Sequence, residues 1–401
     1  MSFNIKFDYR FDNANFFTPK RKAILEQAGN VWSSYIQDDF TSIPAKETLR
    51  FPINHSEQKV VLNESIDDVI IFVSSVNSNS DSLTFGEGSF YADFANGSDR
   101  EKRIIGKDFE PWLGTIEFNT NAVDNFYFDS TPKTDNDIPP DKQDFLSLSL
   151  HEIGHILGIG TSKAFADQIQ DGKFVGRKSV ILNGVQPIPL DADRNHIQDG
   201  FSLDPRRDAL LDKSFTFGER NLPTNLDLAI LSDIGYDIFP RTEVYRFYRY
   251  DRGFHFYTAD PNEQKVVKEL GEAGKLPYTY EGVAYDVLDT LTGEKIKNSA
   301  PVYRFFNKVS GAHLYTIDEN EKNYIRQNLS YFSFEDVAYY AFDSQPKNID
   351  TIPLYRMFNT QTGSHLFTTD RNEFNVLSET QPQFQIEGNG GVTFYVLEPL
   401  L

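Results

Sequence analysis

Cysteine is absent from the 401-residue sequence. That excludes disulfides, thiolate nucleophiles, Cys-ligated zinc and iron–sulfur clusters, and it leaves histidine and carboxylates as the ligands for any metal. Basic residues are in the minority: 39 Lys and Arg against 59 Asp and Glu give a formal net charge of −20. Nucleic-acid binding draws on Lys and Arg that displace counterions from phosphates, so no nucleic-acid partner is expected. Long apolar runs are also missing. Nothing approaches the roughly 18 residues that cross a bilayer, so no transmembrane segment is expected. The stretch from Met1 to Arg10 alternates apolar and polar residues like a strand, without a charged region followed by an apolar core, so no classical signal peptide is expected either.

What is present divides the chain. At roughly 150 residues per domain the length allows two or three domains. From Val244 onward one pattern occurs three times. Val244-Tyr-Arg-Phe-Tyr, His255-Phe-Tyr-Thr-Ala-Asp260 and Tyr280-Glu-Gly-Val-Ala-Tyr285 return as Val302-Tyr-Arg-Phe-Phe, His313-Leu-Tyr-Thr-Ile-Asp318 and Phe334-Glu-Asp-Val-Ala-Tyr339. They return again as Leu354-Tyr-Arg-Met-Phe, His365-Leu-Phe-Thr-Thr-Asp370 and Ile386-Glu-Gly. Arg246, Arg304 and Arg356 step by 58 and then 52 residues, as do His255, His313 and His365, so the copies share one register. Asp260, Asp318 and Asp370 stand three residues before Glu263, Glu321 and Glu373, the acidic analogue of a capping box at a helix start. Each copy therefore reads strand, strand, short helix, strand. Together they predict a β-rich, pseudo-threefold module, trefoil-like or propeller-like in closure.

The N-terminal part reads as mixed α and β. Phe3 to Phe11 alternates as a strand, and Thr18-Pro19 caps an amphipathic helix marked by Ile24, Ala28, Val31 and Tyr35. Leu49–Ile53, Val69–Val73 and Thr115–Phe118 are the clearest strands, set off by polar loops such as Ser74 to Ser82. The boundary falls at Phe239-Pro240-Arg241-Thr242, giving domains 1–239 and 240–401.

The strongest chemical signal is Ser147-Leu-Ser-Leu-His151-Glu152-Ile-Gly-His155-Ile-Leu-Gly158. Leu146, Leu150, Ile153 and Leu157 form a helical apolar stripe, while His151 and His155, four apart, project from one side and can share one ion. Zinc suits two neutral imidazoles, and Glu152 can serve a water as general base. A catalytic zinc needs a third protein ligand. Of seven histidines, three lie in the repeats and two in the motif, leaving His196 and His55. No Glu occurs between Glu152 and Glu219, but Asp167, Asp171, Asp191 and Asp193 remain open. His196, in the polar loop Leu190 to Gly200, is favoured as the end of an excursion that leaves at Gly158.

Several motifs then carry a resemblance: Gly114-Thr-Ile-Glu-Phe-Asn119, Phe126-Tyr-Phe-Asp129-Ser-Thr-Pro132, the extended helix motif through Gly158-Ile-Gly160, and Leu226-Asp-Leu-Ala-Ile-Leu-Ser-Asp-Ile-Gly-Tyr236. In this order they resemble the catalytic domain of metzincin-type zinc metallopeptidases, leishmanolysin- or serralysin-like, with an insertion before the third histidine. The resemblance spans about residues 1–239. It implies a zincin-like α+β domain with a mixed sheet and an active-site helix, zinc on His151, His155 and His196, and Glu152 as catalytic base. It further implies a substrate-binding edge strand including Gly114, Thr115, Ile116 and Glu117, a protein or peptide substrate, and secretion. Two positions depart from the family pattern. Thr161 stands where the usual third histidine falls, and Leu211 stands where a methionine turn would underlie the metal.

The segment Asp191-x-Asp193-x-Asn195 opens like a calcium loop, but His196 takes the glycine position and Ser202 the glutamate position, so a structural Ca2+ has no assigned site. The repeated Arg, His and aromatic residues first suggest a recurrent fold and second a carbohydrate or cell-surface polymer ligand. The function expected is zinc-dependent endopeptidase. The alternatives are a degenerate metzincin scaffold that binds through its repeats, and a metal-dependent hydrolase of another bond.

Overall fold

The computed structural model describes residues 3–77, 86–91, 98–129, 137–205, 207–214, 216–347, 349–388 and 390–399. Ser130-Thr-Pro132 and the end of the Ser74–Ser82 loop, both named above, lie outside them. The protein is α+β and separates into two compact units, Met1–Phe239 and Pro240–Leu400.

In the first unit, β1 (Ile5–Phe11) leads to α1 (Pro19–Tyr35), whose N-cap Thr18 accepts the Arg21 amide. The hairpin β2 (Thr48–Ile53) and β3 (Ser56–Val61) follows, then β4 (Val69–Val76), β5 (Gly86–Phe90), α2 (Asp99–Ile105) and β6 (Leu113–Asn119). The main sheet has the order β1-β4-β6-β5, parallel except for β5. The β4 sequence Val-Ile-Ile-Phe-Val-Ser-Ser-Val is buried over all but its last residue, as an inner strand with neighbours on both sides must be. It runs three residues beyond the apolar stretch visible in the sequence, because Ser74 and Ser75 are buried in the ladder with β6.

The short parallel pair β7 (Phe126–Tyr127) and β8 (Gln143–Asp144) brings the chain to α3 (Phe145–Ile156). All twelve residues of α3 are buried. The excursion after α3 carries α4 (Lys163–Ala166), the small sheet of β9 (Ile169–Gln170), β10 (Lys173–Phe174) and β11 (Ile188–Pro189), and α5 (Arg177–Leu182). It closes on α6 (Asn225–Asp233). Helix α1 packs on α3, where the buried Trp32 indole N–H donates to the Leu150 carbonyl at 2.9 Å.

The sheet order corrects one expectation. Thr115 to Asn119 lies inside the sheet as β6, paired on both sides, and the edges are β1 and, on the side of β6, β5. Gly86-Glu-Gly-Ser-Phe90 escapes a sequence reading because two glycines remove the apolar alternation that marks a strand.

The second unit has three successive segments of one design. The first is β12 (Arg241–Arg249), β13 (Phe254–Thr258), α7 (Pro261–Glu272) and β14 (Tyr278–Leu288). The second is β15 (Ser299–Asn307), β16 (His313–Thr316), α8 (Glu319–Asn328) and β17 (Phe332–Phe342). In the third, β18 (Ile352–Asn359), β19 (Ser364–Thr368) and α9 (Arg371–Thr380) precede a final strand broken into β20 (Phe384–Ile386) and β21 (Val392–Val396). Its interruption holds Gly388, Gly390 and Gly391, all at positive φ. Equivalent residues of the three segments meet at the centre. The rings of Tyr257, Tyr315 and Phe367 lie 5.7–6.4 Å apart and edge to face. Tyr315 Oη donates to the Tyr257 carbonyl at 2.5 Å, and Tyr257 Oη donates to the Phe367 carbonyl at 2.6 Å, so these buried hydroxyls are paired.

Candidate metal centre

The His-bearing helix is fixed at both ends and underneath. Its N-cap Asp144 accepts the Ser147 amide and hydroxyl and is clamped from behind by Arg220, which also binds Asp129. These three charges are almost fully buried, so each depends on the others for its solvation. At the C-terminus Gly158 adopts φ +106° and turns the chain. Thr161 donates its hydroxyl to the His155 carbonyl and so caps a helix end.

His151 and His155 project from α3 as the four-residue spacing requires, and His196 joins them from the loop after β11. His155 Nε2 is 3.1 Å from His151 Nε2 and 3.1 Å from His196 Nε2. Among the described residues this is the one group of three or more His, Asp or Glu side chains whose donor atoms lie within 4.8 Å of one another. The opposite nitrogens are all engaged. His151 Nδ1 meets the Leu210 carbonyl at 2.8 Å, His155 Nδ1 the Ile159 carbonyl at 2.8 Å, and His196 Nδ1 the Asp193 carboxylate at 3.2 Å. A carbonyl can only accept, so His151 and His155 carry their protons on Nδ1 and turn bare Nε2 lone pairs toward the centre. Burial first, and the neighbouring imidazoles second, hold His151 well below the ordinary histidine range and bring His155 down to about 4.

The loops that complete the cluster are held by specific contacts. Gly160, at φ +77°, lets the Asn195 carbonyl approach so closely that a Cβ there would lie 1.8 Å from its oxygen. Beneath α3, Leu211 is fully buried against Gly154 and occupies the floor. Its carbonyl accepts the Ile197 amide at 2.9 Å, which ties the His196 loop to the floor. Buried Asp227 at the start of α6 accepts the Leu210 and Leu211 amides at 3.0 and 3.1 Å. One carboxylate thus positions both the carbonyl behind His151 and the residue below it.

Glu152 is buried, and its Oε2 accepts the Gly88 amide of β5 at 2.6 Å. A side chain at Gly88 would meet the Glu152 carbonyl oxygen at 2.2 Å, so glycine is what allows the edge strand to cross the helix here. Burial pushes Glu152 up to about 8, opposed by the Gly88 hydrogen bond and reinforced by nearby Glu87.

The other candidates fall elsewhere. His55 sits exposed in the β2–β3 turn, outside the cluster. Asp167 pairs with Lys163, and Asp191 with Lys213. Asp193 stands behind His196 as its partner. Glu117 accepts the Asn54 amide of the hairpin turn at 2.5 Å from its place in β6. Asp227, Gly88 and Gly160 were not legible as site residues, since each acts through backbone contacts with residues far off in sequence. Asp193, a candidate ligand in the sequence, instead supports the His196 ring.

In the second unit, the repeated Arg and His side chains join repeated glutamates. Arg246 binds Glu373, Arg304 binds Glu263, and Arg356 binds Glu321, each through two nitrogens. Every pair connects one segment to another, and Arg246–Glu373 joins the first to the last. Each Arg also reaches a carboxylate of its own segment, Glu281, Glu335 or Glu387, at 2.7–2.9 Å, and the same carboxylate lies 3.2–3.4 Å from the local His. The aspartate caps are as expected, but Glu263, Glu321 and Glu373 bind these arginines and so do not supply the reciprocal arm of a capping box.

Residues 243–397 match a domain family described as a domain of unknown function, DUF5648. No curated protein matches the chain.

Proposed function

We propose that residues 1–239 form a zinc-dependent endopeptidase of zincin-like, metzincin-type design, with His151, His155 and His196 as the metal ligands and Glu152 as the general base. The repeats then form a pseudo-threefold accessory module. The observation that carries the reading is the convergence of three Nε2 atoms whose ring partners behind them are already assigned. Lone pairs facing one another at 3.1 Å repel unless a cation lies between them. Zn–N bonds of about 2.05 Å in a tetrahedron set nitrogens about 3.3 Å apart, close to this spacing.

A zinc ion held there supplies Lewis acidity, polarising a peptide carbonyl and acidifying water. The protein supplies the rest. Leu210, Ile159 and Asp193 hold the three rings in the tautomer and orientation that bind metal. Gly88 fixes one oxygen of Glu152, and its hydrogen bond, together with the positive charge of a bound zinc, favours the carboxylate against burial, so that the other oxygen can take a proton from water and deliver it to the leaving amine. The buried wall around α3 keeps bulk water from competing for these groups.

The test is zinc content by elemental analysis together with hydrolysis of casein. About one zinc per chain, lost in His196→Ala, and cleavage lost in Glu152→Ala and on chelation, are the expected results. A Glu152→Ala chain that retains zinc and cleaves at the parent rate removes the assigned base. Full zinc occupancy with no cleavage of any protein substrate favours the degenerate-scaffold alternative.

A further inference from the structure

We infer that the second unit binds uncharged carbohydrate at three equivalent side-chain clusters where its segments meet, each built from an arginine, a histidine, two glutamates and an aromatic ring. This does not depend on the peptidase reading of the first unit.

The three sites repeat in detail. Tyr248, Phe306 and Phe358 each stand directly across the strand pair from the local His, with ring centroids 5.1 Å apart and planes at 45–46°. All three rings are partly exposed. Beside them the Arg and His side chains keep 12–18 % of their surface open, and the glutamates 25–35 %. The polar groups are therefore ordered by one another while still reachable from solvent.

Hydrogen-bond capacity indicates what such a cluster takes. Two carboxylates offer about eight acceptor sites, against five N–H donors on one Arg, so acceptor capacity is left over even when every guanidinium proton is used. A ligand rich in hydroxyl donors fills that surplus. Charge narrows the class further. Two glutamates against one arginine leave each cluster negative when its histidine is neutral, which disfavours phosphates, sulfates and uronates. The guanidinium in contact with both carboxylates repels a second cation, which disfavours amines. A neutral sugar ring satisfies both limits: its hydroxyls meet the carboxylates and its C–H face lies on the aromatic ring.

A purely architectural role explains less. Partly buried ion pairs seldom stabilise a fold better than apolar packing of the same volume, and the Tyr257–Tyr315–Phe367 centre already joins the three segments through packing and hydrogen bonds. Three clusters in one unit also favour a polymer over a single sugar, because a second contact on the same chain forms at high effective concentration.

The experiment is native affinity electrophoresis of the full chain in gels containing dextran, yeast mannan, laminarin or hydroxyethylcellulose, with polygalacturonate and glycol chitosan as charged comparisons. Retardation by at least one neutral polymer and by neither charged one is expected. Phe306→Leu and Phe358→Leu should each weaken it roughly tenfold, and the triple variant with Tyr248→Leu should abolish it at an unchanged Tm. Phe306→Tyr, which keeps an aromatic face, should retain it. If the triple variant loses its cooperative melt, the single variants decide. No retardation by any neutral polymer, retardation only by a charged one, or equal retardation of the leucine variants overturns the inference.

Discussion

Replacing Gly160 by alanine should dismantle the candidate metal centre without touching a ligand. The added Cβ would lie 1.8 Å from the Asn195 carbonyl oxygen, where contacts under 3.0 Å are essentially never found, so the two backbones must separate by at least about 1.2 Å. The φ of +77° adds a left-handed penalty of about 1–2 kcal/mol for a residue with a side chain. Asn195 directly precedes His196, whose Nε2 now stands 3.1 Å from that of His155. A shift of this size is more than a third of that distance and withdraws the third imidazole from the other two. Loss of support behind a ligand typically costs about 10–100-fold in metal affinity, and Gly160→Ala should fall at the upper end or beyond. Competition with a chromogenic chelator, run on the folded full chain beside His196→Ala, measures it. A Gly160→Ala protein that holds zinc as tightly as the parent would refute the claim that this glycine sets the ligand loop.

Further outcomes follow from the same contacts. Asp193→Ala should weaken zinc binding about tenfold or more in the same competition assay, with a smaller loss in Asp193→Asn, which retains an acceptor oxygen. Leu211→Ala should lower stability by about 2–5 kcal/mol in urea titration through the cavity it opens, whereas Leu211→Met should cost under about 1.5 kcal/mol. Asp227→Ala removes the acceptor of the Leu210 and Leu211 amides; at about 1–3 kcal/mol for each buried donor left unpaired, it should depress Tm and zinc affinity together. In the second unit burial raises Glu263, Glu373 and Glu387, but hydrogen bonds and charge from arginine and histidine outweigh it and hold them below the usual range; Glu335 is lowered chiefly by His313. Carboxylates lowered in the folded state stabilise it fully above their unfolded value of about 4.3 and lose that contribution as pH falls through the folded values. Near-UV thermal melts from pH 6 to pH 3 should show the second unit weakening below about pH 4, and a flat profile would count against these pairings.

The parts of the site legible in the sequence were those that local periodicity encodes. His151, Glu152 and His155 lie on one helix, so their mutual placement follows from 3.6 residues per turn. His196 could be reached only by counting the remaining histidines. The route by which it arrives depends on a backbone approach at Gly160, which no side-chain pattern announces. The edge strand was misassigned for a related reason. Apolar alternation marks inner strands such as β6, whereas β5 needs glycines to pass over α3 and so loses the signal. In the repeats, recurrence exposed the arginines and histidines, but the glutamates at the helix starts looked like local caps. Their true partners lie 35 to 127 residues away, across segment boundaries.

The pairing of Arg246 with Glu373 has a consequence for how such a module can change in evolution. In an open array, copies can be added or deleted at an end with little penalty. Here the final copy hands its acid back to the first, so a duplication must wedge itself into a closed circuit and a deletion strands one charge on each side of the gap. Copy number should therefore stay fixed.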